Sequence, residues 1–139
     1  MHKQRKNNCS KTILRVRYGE TDQMQIAHHS SYVAWLELAR VEWFRERSLQ
    51  YTSLEESGIA LGVVELKICY LRSAHFDDLI SVYSSLAKAK SRLLAFEYVL
   101  KTENGLKIAT ASTNHVPIDD NGKATSLPKT WQDALIKHL

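Results

Sequence analysis

Four side chains able to move a proton or polarise a carbonyl stand close together in this chain: Glu20, Asp22, His28 and His29. They fall inside the window 18–40, YGETDQMQIAHHSSYVAWLELAR, where a strand-like run ends at Tyr18 and an amphipathic helix opens near Ser31. A carboxylate and an imidazole seven residues apart can activate water. The N–H groups of a helix start can bind the negative charge that develops on the substrate. Together these residues point to hydrolysis or acyl transfer.

Asp22 is the first candidate, either as general base on water or as a nucleophile that attacks an acyl carbon and forms a mixed anhydride. Adjacent residues point in different directions, so His28 and His29 do not act as one unit. His29 lies nearer the helix start and is the catalytic candidate; His28 is assigned to the surface or to the substrate-binding side. Glu20 is a second acid or an exposed loop residue. A metal centre needs three or four converging ligands, and His75 and His115 belong to unconnected segments, so none is expected. Lys88, Lys90 and Arg92 surround Ser91 at a hairpin and can hold phosphates beside a cleft. Arg72, ahead of Ser73-Ala74-His75, is a further cationic candidate. The G-x-S-x-G elbow, the P-loop, G-x-G-x-x-G and H-E-x-x-H are all missing.

The elements that must position these groups follow from periodicity. Residues 12–18 alternate as a strand with one buried face. Tyr32, Trp35, Leu36, Ala39, Trp43 and Phe44 recur at three- and four-residue steps and predict a long helix, with Ser30 or Ser31 as N-cap. Glu37–Arg40 and Glu42–Arg45 are placed to pair on its polar side. So many aromatic residues on one helix call for a sheet wrapped around it. A short helical turn over 53–57 ends at Gly58. Strands follow over 64–71, from Ile80 to about Lys90, over 94–100 and over 106–118, in meander-like order. Asn104-Gly105 marks a hairpin, and Asp119 to Gly122 a turn. Pro128 precedes a short C-terminal helix with Thr130 as its N-cap.

This order gives an α+β domain with one mostly antiparallel sheet packed on a helix. An exposed edge strand invites pairing with a second subunit.

The 139 residues are 44% hydrophobic and 24% charged, as in one ordinary globular domain. The net charge of +4 is misleading as a sign of nucleic-acid binding. Residues 1–11 carry Lys3, Arg5, Lys6 and Lys11 without an acid, and outside them basic and acidic groups balance at 15 each. The reading is a basic, flexible tail over 1–11 and a single domain over 12–139, with no nucleic-acid-binding fold. No stretch approaches a membrane span, and no secretory signal follows the basic start. Cys9 and Cys69 do not form a disulfide framework. Cys69 is assigned to the core, and a reducing cytoplasm is the expected setting.

The run VRYGETDQMQIAHHSSYVAWLELAR is similar to the signature of the 4-hydroxybenzoyl-CoA thioesterase / YbgC-like acyl-CoA thioesterases. The resemblance continues through YLRSAHFDDLISV (70–82) and KSRLLAFEYVL (90–100), and so spans most of residues 12–118. It implies a hotdog fold, a long central helix wrapped by an antiparallel five-stranded sheet. It also implies hydrolysis of an acyl-CoA to free acid and CoA, with no cofactor.

Asp22 matches the family's catalytic carboxylate. His29 matches the position whose backbone N–H polarises the thioester carbonyl. Lys90 and Arg92 match a hairpin that helps bind CoA phosphates, often from a neighbouring subunit. Dimers that pair into tetramers, with sites at subunit interfaces, are the family's usual assembly. Two residues depart from the pattern. Gln25 stands where relatives usually have Gly, at a position whose backbone angles favour Gly, and His28 replaces a commonly aromatic residue. A thioesterase acting on acyl carrier protein, and a non-catalytic acyl-CoA-binding module, are the alternatives.

Overall fold

A computed structural model describes residues 8–139; the expectation of a flexible tail falls mostly on residues 1–7, outside the described residues. The elements run β1 (Cys9–Arg15), a 3-10 turn (Tyr18–Glu20), α1 (Ser31–Glu46), α2 (Tyr51–Glu56), β2 (Ala60–Tyr70), β3 (Leu79–Lys90), β4 (Leu93–Thr102), β5 (Lys107–Ile118) and α3 (Lys129–Ile136). One five-stranded sheet has the order β1-β3-β4-β5-β2, and every pairing in it is antiparallel. This is the expected α+β architecture, a long helix against a single antiparallel sheet.

The helix packs as its period demands. Trp35, Leu36, Ala39, Trp43 and Phe44 are buried, and Phe96 of β4 meets Trp43 and Phe44 edge-on at ring distances of 5.2 and 5.6 Å. Such T-shaped contacts suit the aromatic quadrupole. Each of these side chains contributes about 1.5–3 kcal/mol by leaving water. Trp131 of α3 closes the far side of Phe44 at 5.5 Å. Register shifts at Val63/Glu65, Leu86/Lys88 and Leu100/Lys101 add local twist, which lets the sheet curve about the helix.

Several expectations are corrected. β1 starts at Cys9, so residues 9–11 belong to the sheet rather than to a tail, and it ends at Arg15. Tyr18 lies beyond the strand, turned outward against Phe76. The strands do not form a four-strand meander: β2 pairs only with β5 and lies at the edge opposite β1, with β4 and β5 between it and β3. Residues 71–78 therefore cross the end of the sheet.

Cys69 is exposed instead of buried, because β2 is an edge strand and position 69 alternates onto the outer face with its partner Thr110. Arg40 does not turn outward to Glu37. It is buried and donates to the Tyr98 hydroxyl at 3.3 Å; Glu42 and Arg45 do pair. α3 begins at Lys129 with Pro128, not Thr130, at its N-cap. The preset φ of proline suits that boundary, and the Pro128 carbonyl accepts from Trp131 and Gln132 N–H.

Candidate active site

The site is a folded-back ribbon between β1 and α1. Asp22 N–H donates to the Ile26 carbonyl at 2.8 Å, and Gln25 N–H returns to the Asp22 carbonyl at 2.9 Å. The Asp22 side chain closes the same turn, its Oδ1 accepting from the N–H groups of Met24 at 2.8 Å and Ile26 at 3.1 Å. This is an aspartate seated on its own backbone, as short acids commonly are in turns. Oδ2 has no hydrogen bond among the described residues, and the side chain is exposed. One oxygen is anchored while the other is left for chemistry.

Gln25 has a φ of 63°, the left-handed region that Gly occupies without strain. The expected conformation is thus present with a bulkier residue. The crossing segment holds it in place: Phe76 N–H donates to the Gln25 carbonyl and Ala27 N–H to the Ala74 carbonyl, both at 2.8 Å. The cross-over of β2 to the far edge puts residues 72–76 against this ribbon, which a meander would not have done.

Glu20 is a structural clamp rather than a second acid. Its Oε1 accepts from Arg17 N–H at 2.8 Å. Its Oε2 accepts from the Trp35 indole at 3.0 Å and the Arg17 guanidinium at 3.3 Å. Burial alone would raise its pKa, but these donors outweigh that and hold it below the usual carboxylate value. Its carbonyl accepts from His28 N–H at 2.8 Å and from the Ser31 hydroxyl at 2.9 Å. One residue thereby fixes both the turn and the first residue of α1.

Ser30 occupies the N-cap position of α1 but makes no side-chain cap, and the Ser31 hydroxyl is committed to Glu20. The helix start therefore keeps donors that a capping side chain would have taken. The His29 N–H makes no hydrogen bond among the described residues. The aligned peptide dipoles of α1 favour negative charge here.

The His29 carbonyl accepts from the Tyr70 hydroxyl at 2.8 Å, and the two rings lie 4.7 Å apart. Beside them is a depression of about 190 Å³ lined by Ile26, His29, Tyr32, Tyr70, Leu71 and Arg72, among others. Arg72 thus shares a hollow with His29, and one guanidinium nitrogen donates to the Lys107 carbonyl at 3.3 Å. Asp22 is on the same ribbon, outside that hollow. His28 is exposed.

Lys90 and Arg92 are not brought to this place. Leu79 pairs with Arg15 at the site's end of the sheet, and Lys90 closes the other end of β3, a strand length of roughly 35 Å. Lys90 instead borders a groove of about 350 Å³ against α3, with Lys129, Gln132 and Asp133. A wider depression of about 450 Å³ lies on the outer sheet face around Lys67, Cys69, Glu97 and Ser112. No residue of the ribbon 22–31 lines it, so size does not identify the site. Among the described residues no three His, Cys, Asp or Glu side chains converge as metal ligands. Tyr70 and Trp35 went unmarked as site residues in the sequence, since each reads there as one more apolar position in a strand or helix.

The fold and the sequence both have counterparts among known proteins. The model of the thioesterase-like superfamily matches residues 16–135. The acyl-CoA thioesterase YbgC of Haemophilus influenzae is 32% identical over 128 residues, 91% of this chain and 93% of that protein. The solved DHNA-CoA thioesterase from Staphylococcus aureus superposes with a TM-score of 0.89 at 27% identity, over 93% of this chain and 89% of that one. A 4-hydroxybenzoyl-CoA thioesterase, at 16% identity, shares the fold with a TM-score of 0.81 over 91% of this chain and 98% of that one.

Proposed function

The chain belongs to the thioesterase-like superfamily and is a thioester hydrolase, and from that premise we propose that it hydrolyses an acyl-CoA to the free acid and CoA. The observation that carries the reading is Asp22, whose Oδ1 is held by two backbone N–H groups while Oδ2 is unengaged.

In the proposed reaction the thioester carbonyl oxygen accepts the His29 N–H at the uncapped start of α1. Asp22 Oδ2 takes a proton from water as the water oxygen bonds to the carbonyl carbon. Negative charge gathers on the carbonyl oxygen, where the N–H and the helix dipole stabilise it. The carbon–sulfur bond then breaks, and the proton passes to the departing CoA sulfur. Direct attack by Oδ2, giving a mixed anhydride that water later opens, uses the same geometry. A single turnover in oxygen-18 water separates the routes, because only the anhydride route can leave label in Asp22.

Arg72, His28, Lys90 and Arg92 are assigned to substrate. Arg72 lies in the hollow beside His29, and His28 faces solvent next to it. Lys90 and Arg92 are assigned to the CoA phosphates of a neighbouring subunit's site, since their own Asp22 lies a strand length away. A homodimer or homotetramer with sites at its interfaces, working in the cytoplasm, completes the reading. No helix among the described residues is long and apolar enough to cross a membrane.

The test is thiol release from a panel of short-chain, long-chain and aromatic acyl-CoAs, with binding measured separately. Wild type is expected to turn over at least one class. Asp22→Asn is expected to bind it normally and lose about 10²–10⁴-fold in kcat. Binding without thiol release from any member of the panel would overturn the enzyme reading. Full turnover by Asp22→Asn would overturn the assignment of Asp22 alone.

A further inference from the structure

We propose that Tyr70 is a positioning residue that holds the carbonyl-polarising turn at the start of α1 in its working orientation. The inference rests on the acyl-CoA hydrolase reading for its kinetic consequence, but not for its geometry.

The turn 28–31 has two kinds of attachment. On one side it hangs from Glu20, through His28 N–H and the Ser31 hydroxyl. Those bonds fix the residues on either side of His29 and Ser30, and Ser31 N–H closes the turn on the His28 carbonyl at 3.0 Å, but none of them reaches the peptide between His29 and Ser30. Ser30 provides no side-chain cap there.

The Tyr70 hydroxyl supplies the missing hold from the opposite side, donating to the His29 carbonyl at 2.8 Å across 41 residues of sequence. The held carbonyl lies in the peptide that joins His29 to Ser30, and only the φ and ψ of His29 separate that plane from the His29 N–H, so holding it narrows the directions the N–H can take. Fixing one therefore restrains the other.

The donor is itself well seated. Tyr70 ends β2 and pairs with Ala109 of β5. Its ring packs on His29 at 4.7 Å and meets the buried Tyr32 edge-on at 4.9 Å. Burial raises its hydroxyl above the ordinary tyrosine pKa, so it remains a donor at neutral pH. Two elements far apart in sequence, the edge strand and the central helix, are thus joined at the turn meant to receive the oxyanion. The benefit is preorganisation: a donor already aimed does not have to be ordered during the reaction.

Tyr70→Phe keeps the ring and both aromatic contacts and removes only the donor. We expect its melting temperature and KM to match wild type, with unchanged affinity for a thioether analogue of the acyl-CoA that cannot be hydrolysed. Its kcat should fall about tenfold, in line with slight misplacement of a catalytic group. Amide hydrogen exchange at Ser31, whose N–H bonds to the His28 carbonyl across this turn at 3.0 Å, should accelerate by a similar factor, a readout that needs no turnover. A kcat within twofold of wild type overturns the proposal, as does unchanged exchange at the Ser31 amide. Parallel losses in melting temperature, KM and kcat would overturn it too, by making Tyr70 a packing residue. If wild type hydrolyses no thioester, the functional reading fails, and the exchange measurement alone still decides the positioning role.

Discussion

At the scale of single residues, the least ordinary group lies in the core. Arg40 is 6% exposed and His115 1%, and among the described residues no carboxylate forms an ion pair with either. Their links are hydroxyls: Arg40 to Tyr98, Tyr98 to Thr113 at 2.8 Å, and Thr113 to His115 Nε2 at 2.8 Å. Burial, reinforced by the positive charge of Arg40, pushes the His115 pKa from 6.5 down to about 4. The imidazole is therefore neutral in the folded protein where the unfolded chain would protonate it. Above 6.5 both states are neutral and pH has no effect through this group. Between 6.5 and about 4 only the unfolded state takes the proton, so stability falls as pH falls, by at most about 1.4 kcal/mol per unit. Below that both states are charged and the slope vanishes. His115→Gln removes the titration and can keep a bond to Thr113. Its urea midpoint should therefore drop less than that of wild type between pH 7 and pH 4.5. An equal drop in the two proteins would show that other groups carry the acid sensitivity.

At the scale of elements, the ribbon around Asp22 carries its own strain. Gln25 sits at a φ of 63°, where a side chain other than Gly costs about 1–2 kcal/mol. Gln25→Gly should relieve part of this, offset by the larger entropy of Gly in the unfolded chain, and raise the melting temperature by about 3 °C. Gln25→Val, β-branched at positive φ, should lower it by more than that. A calorimetric ranking of Val below Gln below Gly is the expected result; the reverse order would mean that the Gln25 side chain holds the loop by contacts worth more than the backbone strain. The same ribbon shows what the sequence could disclose. A two-residue period meeting a helical period located Asp22 and the start of α1, and the Gly-like demand at position 25 was visible from the family pattern. Arg40 is charged, which suggests the polar side, but its position decides: it lies four after Leu36 and three before Trp43, on the apolar stripe itself. Nor does alternation say which neighbour a strand chooses. β2 could pair with β3 or β5 on its pattern alone, and only the fold puts it at the edge, exposes Cys69, and sends residues 71–78 across the sheet to support the site.

At the scale of the whole molecule, one chain holds the two proposed halves of the site at opposite ends of its sheet. Asp22 and His29 lie near the start of β3, and Lys90 and Arg92 near its end. A single acyl-CoA held by all four must then draw them from different copies. β2 offers the means of joining copies: one of its edges bonds to β5 while the other is bare, and Val63, Val64, Leu66 and Tyr70 along it are 37–60% exposed. A long apolar edge of this kind rarely remains uncovered. Complementation tests the arrangement directly. Asp22→Asn and the double variant Lys90→Ala with Arg92→Ala should each be impaired alone at substrate well below KM. If the two halves come from different subunits, each mixed dimer regains one fully native site and retains one doubly damaged site. Unfolding and refolding the variants together in equal amounts should thus restore about a quarter of wild-type activity, because half of random dimers are mixed. If each chain supplied its own cations, mixing would create no native site and the activity would stay at the average of the two variants. The geometry of β3 favours recovery, since no bend within this fold brings Lys90 of a chain to its own Asp22.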